Sequence, residues 1–172
     1  MRSCRFPLLR HGAATVFAAL AFAHASIAGA AETPLPGGGV LGMSVPQLQE
    51  AQPALKRVPH PARMAGGLVG MWSAAAVPVA GLALVPTYYF AEGQLRRVEY
   101  LAATGGPAAF DALLSWARAA WGAELAQAAP EGAYASWATD DVDAYLQLAG
   151  NTAGAQVRLV IKQRVLKDAG EL

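Results

Sequence analysis

Apolar and polar residues alternate most clearly along Pro86–Leu101. Two β-prone runs, Thr87–Phe90 and Leu95–Leu101, flank the dipeptide Glu92-Gly93. A glycine between two alternating apolar runs is among the strongest short-range signals of a β-hairpin. The pattern therefore predicts a hairpin that turns at this dipeptide.

The spacing within this hairpin also predicts a β-bulge. If Glu92-Gly93 is a two-residue turn, strict pairing sets Tyr88 opposite Arg97, which would mix apolar and charged residues on one face. A bulge at Arg96-Arg97 shifts the alternation by one residue, so that apolar residues share one face. The residues expected on the buried face are Tyr88, Phe90, Leu95, Val98 and Tyr100. Those expected to point to water are Tyr89, Arg96, Arg97 and Glu99.

Two segments have the periodicity and the end signals of helices. Ser44 followed by Gln47 forms a capping-box pattern, which predicts a short helix over Val45–Gln52. Pro107 suits the first position of a second helix, and Gly122 is a typical terminator. Its apolar stripe consists of Phe110, Leu113, Leu114, Ala117, Ala120 and Trp121.

The remaining β-prone runs predict further strands. They are Leu68–Ala76, Leu82–Phe90, Tyr134–Ala138, Val142–Ala149 and Ala155–Val165. The run Val77–Gly81 between the first two is interpreted as a turn, and Pro86 indicates an edge or a bulge. Because Pro59 and Pro61 exclude a central strand position, Leu55–Ala65 is interpreted as an edge or a loop.

A helix followed by about three strands occurs twice in this order of elements. It predicts an α+β fold in which an antiparallel sheet carries helices packed on one face, in a tandem helix-plus-three-strand arrangement. The predicted organisation is a signal peptide at 1–30, a flexible linker at 31–41, one domain at 42–166 and a polar tail at 167–172. The domain would divide into halves at about 42–103 and 104–166.

The first thirty residues have the pattern of a secretory signal peptide. Arg2, Arg5 and Arg10 precede the short apolar run Ala13–Ala23, and Ala28-Gly29-Ala30 has the small-x-small pattern of a cleavage site. The apolar run falls short of the roughly 20 residues that span a bilayer. We therefore expect cleavage between Ala30 and Ala31, no membrane insertion afterwards, and a periplasmic or secreted protein.

Cleavage would change the composition that bears on function. It removes three of the 13 basic residues and none of the 12 acidic ones, so the formal net charge falls from +1 to −2. A nearly neutral surface argues against nucleic acid as a partner. The remaining chain would have no cysteine and a single histidine, His60. This composition excludes disulfides, thiolate nucleophiles and multi-histidine metal centres there, and we expect no cofactor.

The first half resembles small exported modules of the BamE (SmpA/OmlA) type and the related β-lactamase-inhibitor-protein-like fold. The resemblance is carried by Leu41-Gly42-Met43-Ser44 before a short helix and by the hairpin residues Tyr88, Phe90, Gly93, Leu95 and Val98. It implies support of outer-membrane assembly or inhibition of a protein partner. The chain lacks the lipid-bearing cysteine of the first group and the disulfide cysteines of the second, and no functional residue is carried over.

Few residues suggest specific chemistry. His60, between two prolines, has no carboxylate close in sequence and is interpreted as a surface residue. Asp140, Asp141 and Asp143 lack the ligand spacing, glycine and closing glutamate of a calcium loop, and are interpreted as a solvated turn.

The leading functional hypothesis is a non-enzymatic exported domain that binds a protein or cell-envelope component through its sheet face. The expected surface consists of Tyr89, Arg96, Arg97 and Tyr145, because aromatic residues and arginine are enriched at interfaces. The alternatives are a small ligand carrier and a hydrolase that uses carboxylates. The carboxylates available to a hydrolase would be Glu99, Asp111 and Asp143.

Overall fold

A computed structural model describes residues 33–125, 133–150 and 154–164. These residues form one antiparallel sheet of eight strands and only two α-helices. The predicted α+β fold, with helices packed on one face and a tandem helix-plus-three-strand order, is therefore wrong, because the protein is mostly β. The predicted signal peptide and polar tail lie outside the described residues.

The strands follow the chain as β1 (Lys56–Arg57), β2 (Val69–Ser73), β3 (Val77–Val79), β4 (Leu82–Ala91), β5 (Gln94–Ala102), β6 (Tyr134–Ala138), β7 (Val142–Ala149) and β8 (Gln156–Gln163). The helices are α1 (Val45–Ala51) and α2 (Pro107–Trp121), with a single 3-10 turn at Ala65–Gly67. The sheet order is β1-β2-β4-β5-β8-β7-β6, and β3 pairs with β4 beside β2.

The β4–β5 hairpin has the predicted turn and the predicted bulge. Glu92 and Gly93 both have positive φ, at 52° and 76°, as a type I′ hairpin turn requires. Tyr89 pairs with Arg97 and Phe90 with Leu95, which leaves Arg96 as the extra residue. Residues on the predicted inner face are buried: Tyr88, Phe90, Leu95, Val98 and Tyr100.

The chain around β3 differs from the prediction. The run interpreted as a turn contains a strand, Val77–Val79, and the reversal is confined to Ala80 and Gly81, which both have positive φ. Strand β4 continues through Pro86, although a proline lacks a hydrogen-bond donor. On this edge of β4, β3 pairs with residues up to Leu84 and β2 pairs with residues from Thr87 onwards. Pro86 therefore lies opposite the gap between β3 and β2. A proline is tolerated where that edge has no partner.

The tandem arrangement fails because the two predicted halves share one sheet. Strand β5 pairs with β8 over five residue pairs, from Arg97↔Lys162 to Leu101↔Arg158. The first half contributes five strands and the second three. The long-range β5–β8 pairing therefore joins the two predicted halves.

The hydrophobic core lies on one face of this sheet. Leu48 of α1 and Phe110, Leu113 and Ala117 of α2 belong to the same buried cluster as the inner residues of β4 to β8. Gln47 Oε1 accepts a hydrogen bond of 2.9 Å from the Ser44 backbone N–H, as the capping-box pattern predicts. The buried side chains of the two helices therefore all belong to this one cluster.

Part of the segment predicted to be a flexible linker packs against the domain. Leu35 is buried in the core cluster, and the Pro36 carbonyl accepts a hydrogen bond of 3.0 Å from the Tyr100 hydroxyl. Thr33 donates from its backbone N–H and its hydroxyl to the two carboxylate oxygens of Asp141, each at 3.2 Å. These contacts connect the start of the described chain to β5 in the middle of the sheet and to the turn between β6 and β7.

Candidate functional site

The face of the sheet opposite the helices carries a connected set of polar and aromatic side chains, which we call the open face. One row of paired residues crosses five strands, in the order Gly70, Tyr89, Arg97, Lys162 and Asp143. The next row contains Thr87, Glu99, Val160 and Tyr145. Tyr89 and Val160 are buried but do not belong to the core cluster, so neighbouring long side chains shield them.

Arg97 is the centre of this face. Its Nη2 atom donates to Glu99 Oε2 at 3.0 Å and to the Tyr145 hydroxyl at 2.9 Å. Its guanidinium carbon lies 5.5 Å from the ring centroid of Tyr89 and 5.7 Å from that of Tyr145, both within cation–π range. Burial acts to lower the pKa of Arg97, but the hydrogen bonds to Glu99 and Tyr145 outweigh it, so the pKa rises. Arg97 therefore stays charged in a fixed position.

Glu99 is shared between two arginines. One carboxylate oxygen accepts from Arg97, and the other accepts from Arg158 Nη1 at 3.2 Å. Arg158 also donates through Nη2 to Gln147 at 2.7 Å. The Glu99 side chain is 17% exposed, so both of its oxygens are occupied in a partly desolvated setting. Its role is to hold the two guanidinium groups in place.

Tyr89 lies on the predicted face but is only 5% exposed, so the expectation that it points to water is wrong. The reason is Gly70, the residue paired with it. A Cβ atom at Gly70 would lie 2.8 Å from Tyr89 Cε1, so the ring occupies the space that a side chain at Gly70 would take. Burial, and after it the charge of Glu99, raise the pKa of the Tyr89 hydroxyl against the opposing effect of Arg97 and Arg158.

The bulge directs two consecutive arginines to one cavity. In a regular strand Arg96 and Arg97 would point to opposite faces, whereas the extra residue re-aims Arg96. Both side chains line an open cavity of about 550 Å³ at the hairpin end of the open face. The other lining residues are Gly66, Leu68, Ala91, Glu92, Asp143, Lys162 and Gln163.

The cavity has more basic than acidic groups. Arg96 hydrogen-bonds Gln163 and lies 3.8 Å from Glu92, whose side chain is 87% exposed. Lys162 lies 3.7 Å from Asp143, and Arg164 approaches the same carboxylate at 4.0 Å. Arg96 and Lys162 have side chains 31% and 46% exposed, so both remain accessible to a ligand.

The structure therefore brings the four predicted site residues into one region. Arg97 contacts both Tyr89 and Tyr145, and Arg96 borders the cavity beside them. The ring of Tyr134 stacks on Tyr145 with centroids 5.9 Å apart. Sequence reasoning missed Lys162, Gln163 and Arg158 as parts of this site. The alternation of β8 marks the face of Arg158 and Lys162, but only the β5–β8 register reveals their neighbours.

The carboxylates considered for a hydrolase do not meet. Asp143 lines the cavity, whereas Glu99 lies in the next row and is held by Arg97 and Arg158. Asp111 lies on α2, which packs on the other face. Within the described ranges, no three histidine, cysteine, aspartate or glutamate side chains are grouped to hold a metal ion. His60 is exposed in the loop after β1.

Comparison with known proteins gives no relative from which to transfer a function. No family model, curated protein or solved structure matches the chain. The resemblance to BamE-type modules therefore stays a prediction. Over residues 33–125, 133–150 and 154–164, neither helix is long and apolar enough to cross a membrane.

Proposed function

We propose that this protein is an exported, non-enzymatic binding module that takes up an acidic segment of a protein or cell-envelope component on its open face. The observation that carries the proposal is the cavity of about 550 Å³ lined by Arg96, Arg97 and Lys162. Its volume lies within the range of about 300–1,000 Å³ that is typical of ligand sites. Its basic side chains favour an anionic ligand.

The charges around the cavity support an acidic ligand. The basic groups of this network are Arg96, Arg97, Arg158, Lys162 and Arg164, and the acidic groups are Glu92, Glu99 and Asp143. Five positive charges face three negative ones, although the chain as a whole is close to neutral. Complementary charge of this kind steers association and suppresses wrong partners.

The direct test is titration of a fluorescently labelled, aspartate- and glutamate-rich peptide with the purified protein, followed by fluorescence anisotropy. We expect binding that weakens as salt rises, because screening reduces attraction between exposed charges. Lys162→Gln should weaken binding several-fold, by on the order of 1 kcal/mol. Lys56→Gln is the matched control, since Lys56 is also an exposed strand lysine but lies on β1 at the sheet edge.

The proposal would be overturned if the acidic peptide bound no better than a lysine-rich peptide of the same length. Equal losses for Lys162→Gln and Lys56→Gln would also contradict it, because they would show attraction by overall charge without a defined site. Circular dichroism of both variants establishes that each is folded before the affinities are compared.

Export is the second part of the proposal and rests on the sequence pattern of the first thirty residues. Expression in a Gram-negative host should release a periplasmic protein that begins at Ala31, as measured by the intact mass. A protein that retains residues 1–30 in the cytoplasmic fraction would contradict it.

The cavity also favours a second function, that of a carrier for a small anion, because its volume would hold a dicarboxylate or a phosphate. A small dicarboxylate that displaced the acidic peptide at micromolar concentration, with the same dependence on Lys162, would favour the carrier. Displacement only at millimolar concentration would favour the peptide-binding function.

A further inference from the structure

A second feature of the open face extends the proposed function. Val85 and Leu101 form a directly opposed cross-strand pair and are 39% and 37% exposed. Among the described residues, only four large hydrophobic side chains are this exposed, and two of them meet here. The pair lies on the same face as Arg97, because Arg97, Glu99 and Leu101 alternate with the buried Val98 and Tyr100.

We infer that the acidic segment is an extended peptide held at two points, with an acidic side chain in the basic cavity and an apolar side chain on the Val85–Leu101 pair. This inference rests on the proposed function and specifies the sequence pattern of its ligand. The floor between the two points is formed by the row of Thr87, Glu99, Val160 and Tyr145. Tyr145 is half-buried there and gives the peptide an aromatic surface.

The spacing of the two points selects the conformation of the ligand. Arg97 and Leu101 are four residues apart on β5, which corresponds to about 13–14 Å at about 3.4 Å per residue. An extended peptide covers that length in four residues, and its side chains at positions i and i+4 lie on the same side. The expected ligand therefore has Asp or Glu at position i and an apolar residue at i+4.

A helical ligand does not fit this spacing. A helix rises about 1.5 Å per residue, so about nine residues would be needed to span the distance between the two points. With about 3.6 residues per turn, the ninth residue lies on the opposite side of the helix from the first point of contact. The nearest positions on the same side, about seven and about eleven residues on, would be roughly 3 Å too short or too long. The geometry thus favours an extended peptide.

The test compares two peptides of identical composition in a Ser/Thr host sequence, with Glu at position i and Leu at either i+4 or i+3. In an extended peptide the i+3 leucine points away from the sheet. We expect the i+4 peptide to bind at least about fivefold more tightly, a difference of about 1 kcal/mol. Isothermal titration calorimetry with the purified protein measures both affinities.

Leu101→Ser should abolish the difference in affinity between the two peptides. Both peptides should still bind in a salt-dependent way. Leu125→Ser is the matched control, because Leu125 is 55% exposed but pairs at the β6 edge with Ser136. Should Leu101→Ser fail to fold, Val85→Thr provides a second variant, since threonine keeps the shape and strand preference of valine.

The outcomes separate this inference from the proposed function. Equal affinities for the two peptides, or a difference that survives Leu101→Ser and Val85→Thr, would overturn two-point binding while leaving acidic binding at Lys162 in place. A lack of salt-dependent binding to any acidic peptide would overturn both.

Discussion

Two buried tyrosines on the inner face of the hairpin have the same exposure but different hydrogen bonding. Tyr88 and Tyr100 are both fully buried. The Tyr100 hydroxyl donates to the Pro36 carbonyl at 3.0 Å, whereas the Tyr88 hydroxyl has no hydrogen-bond partner among the described residues. A buried polar group without a partner carries its desolvation penalty uncompensated. The free energy of unfolding should therefore respond differently to loss of the hydroxyl at the two positions.

We predict that Tyr88→Phe leaves the free energy of unfolding unchanged or raises it by up to about 1 kcal/mol. Tyr100→Phe should lower it by about 1 kcal/mol, since it removes a hydrogen bond that attaches Pro36 to the sheet. Urea denaturation followed by circular dichroism measures both, and each variant is the control for the other. Equal destabilisation by both variants would contradict the difference in hydrogen bonding between the two hydroxyl groups.

The same tyrosines should make stability fall at alkaline pH. Burial raises the pKa of Tyr88 from 10.0 to about 12. Burial, with a smaller contribution from Tyr88, also raises the pKa of Tyr100. Because the unfolded state ionises first, it binds fewer protons than the folded state above pH 10, and the free energy of unfolding falls as the pH rises towards 12. Tyr88→Phe should make this fall shallower.

At the scale of elements, local sequence patterns were sufficient to predict the features that depend only on residues close together in the chain. The turn at Glu92-Gly93, the bulge at Arg96 and the start of α2 at Pro107 all follow from short-range geometry. The strand at Val77–Val79 was missed because Pro78 is typical of a turn, whereas here it lies on a short edge strand.

The composition of the site depends on pairing that the sequence does not reveal. Arg97 could be assigned to the outer face from its alternation along β5. Its neighbour Lys162 could not be assigned, because the two residues meet only through the β5–β8 register, 65 positions apart in the sequence. The order of strands in a sheet is set by the packing of the whole core, which explains why the predicted tandem arrangement was wrong.

The bulge offers a test of how the cavity acquires its charge. Deletion of one of the two adjacent arginines should produce a regular hairpin in which Tyr89 still pairs with the remaining arginine and Phe90 with Leu95. We expect the variant to fold, with a loss of about 1 kcal/mol or less in the free energy of unfolding, and to bind the acidic peptide several-fold more weakly.

Deletion of Val98 is the control for this variant. It also leaves a regular hairpin, but one in which Arg97 takes the buried position of Val98 opposite Tyr88, so the chain should fail to fold. Unfolding of the arginine-deletion variant to the same extent would show that the bulge is needed for the fold itself and not chiefly for placing Arg96.

At the scale of the whole molecule, the continuous sheet predicts a single cooperative unfolding transition. Val98 and Tyr100 of β5 pair with Ile161 and Leu159 of β8, and all four side chains belong to one buried cluster. Neither part of the chain therefore has a core of its own. A small domain with one core usually unfolds in an all-or-none transition.

The four tryptophans make this prediction measurable. Trp72 lies on β2, whereas Trp116, Trp121 and Trp137 lie on α2 and β6. A variant that retains Trp72 alone and a variant that retains the other three should each give the same urea midpoint by tryptophan fluorescence as by far-ultraviolet circular dichroism. Ile161→Ala removes most of a fully buried side chain on β8 and should lower the free energy of unfolding by about 2–5 kcal/mol. The midpoint reported by Trp72 and the midpoint reported by the other three tryptophans should fall equally. If Trp72 kept its midpoint while the other three unfolded earlier, the first half would be stable alone, and the β5–β8 pairing would join two independent units.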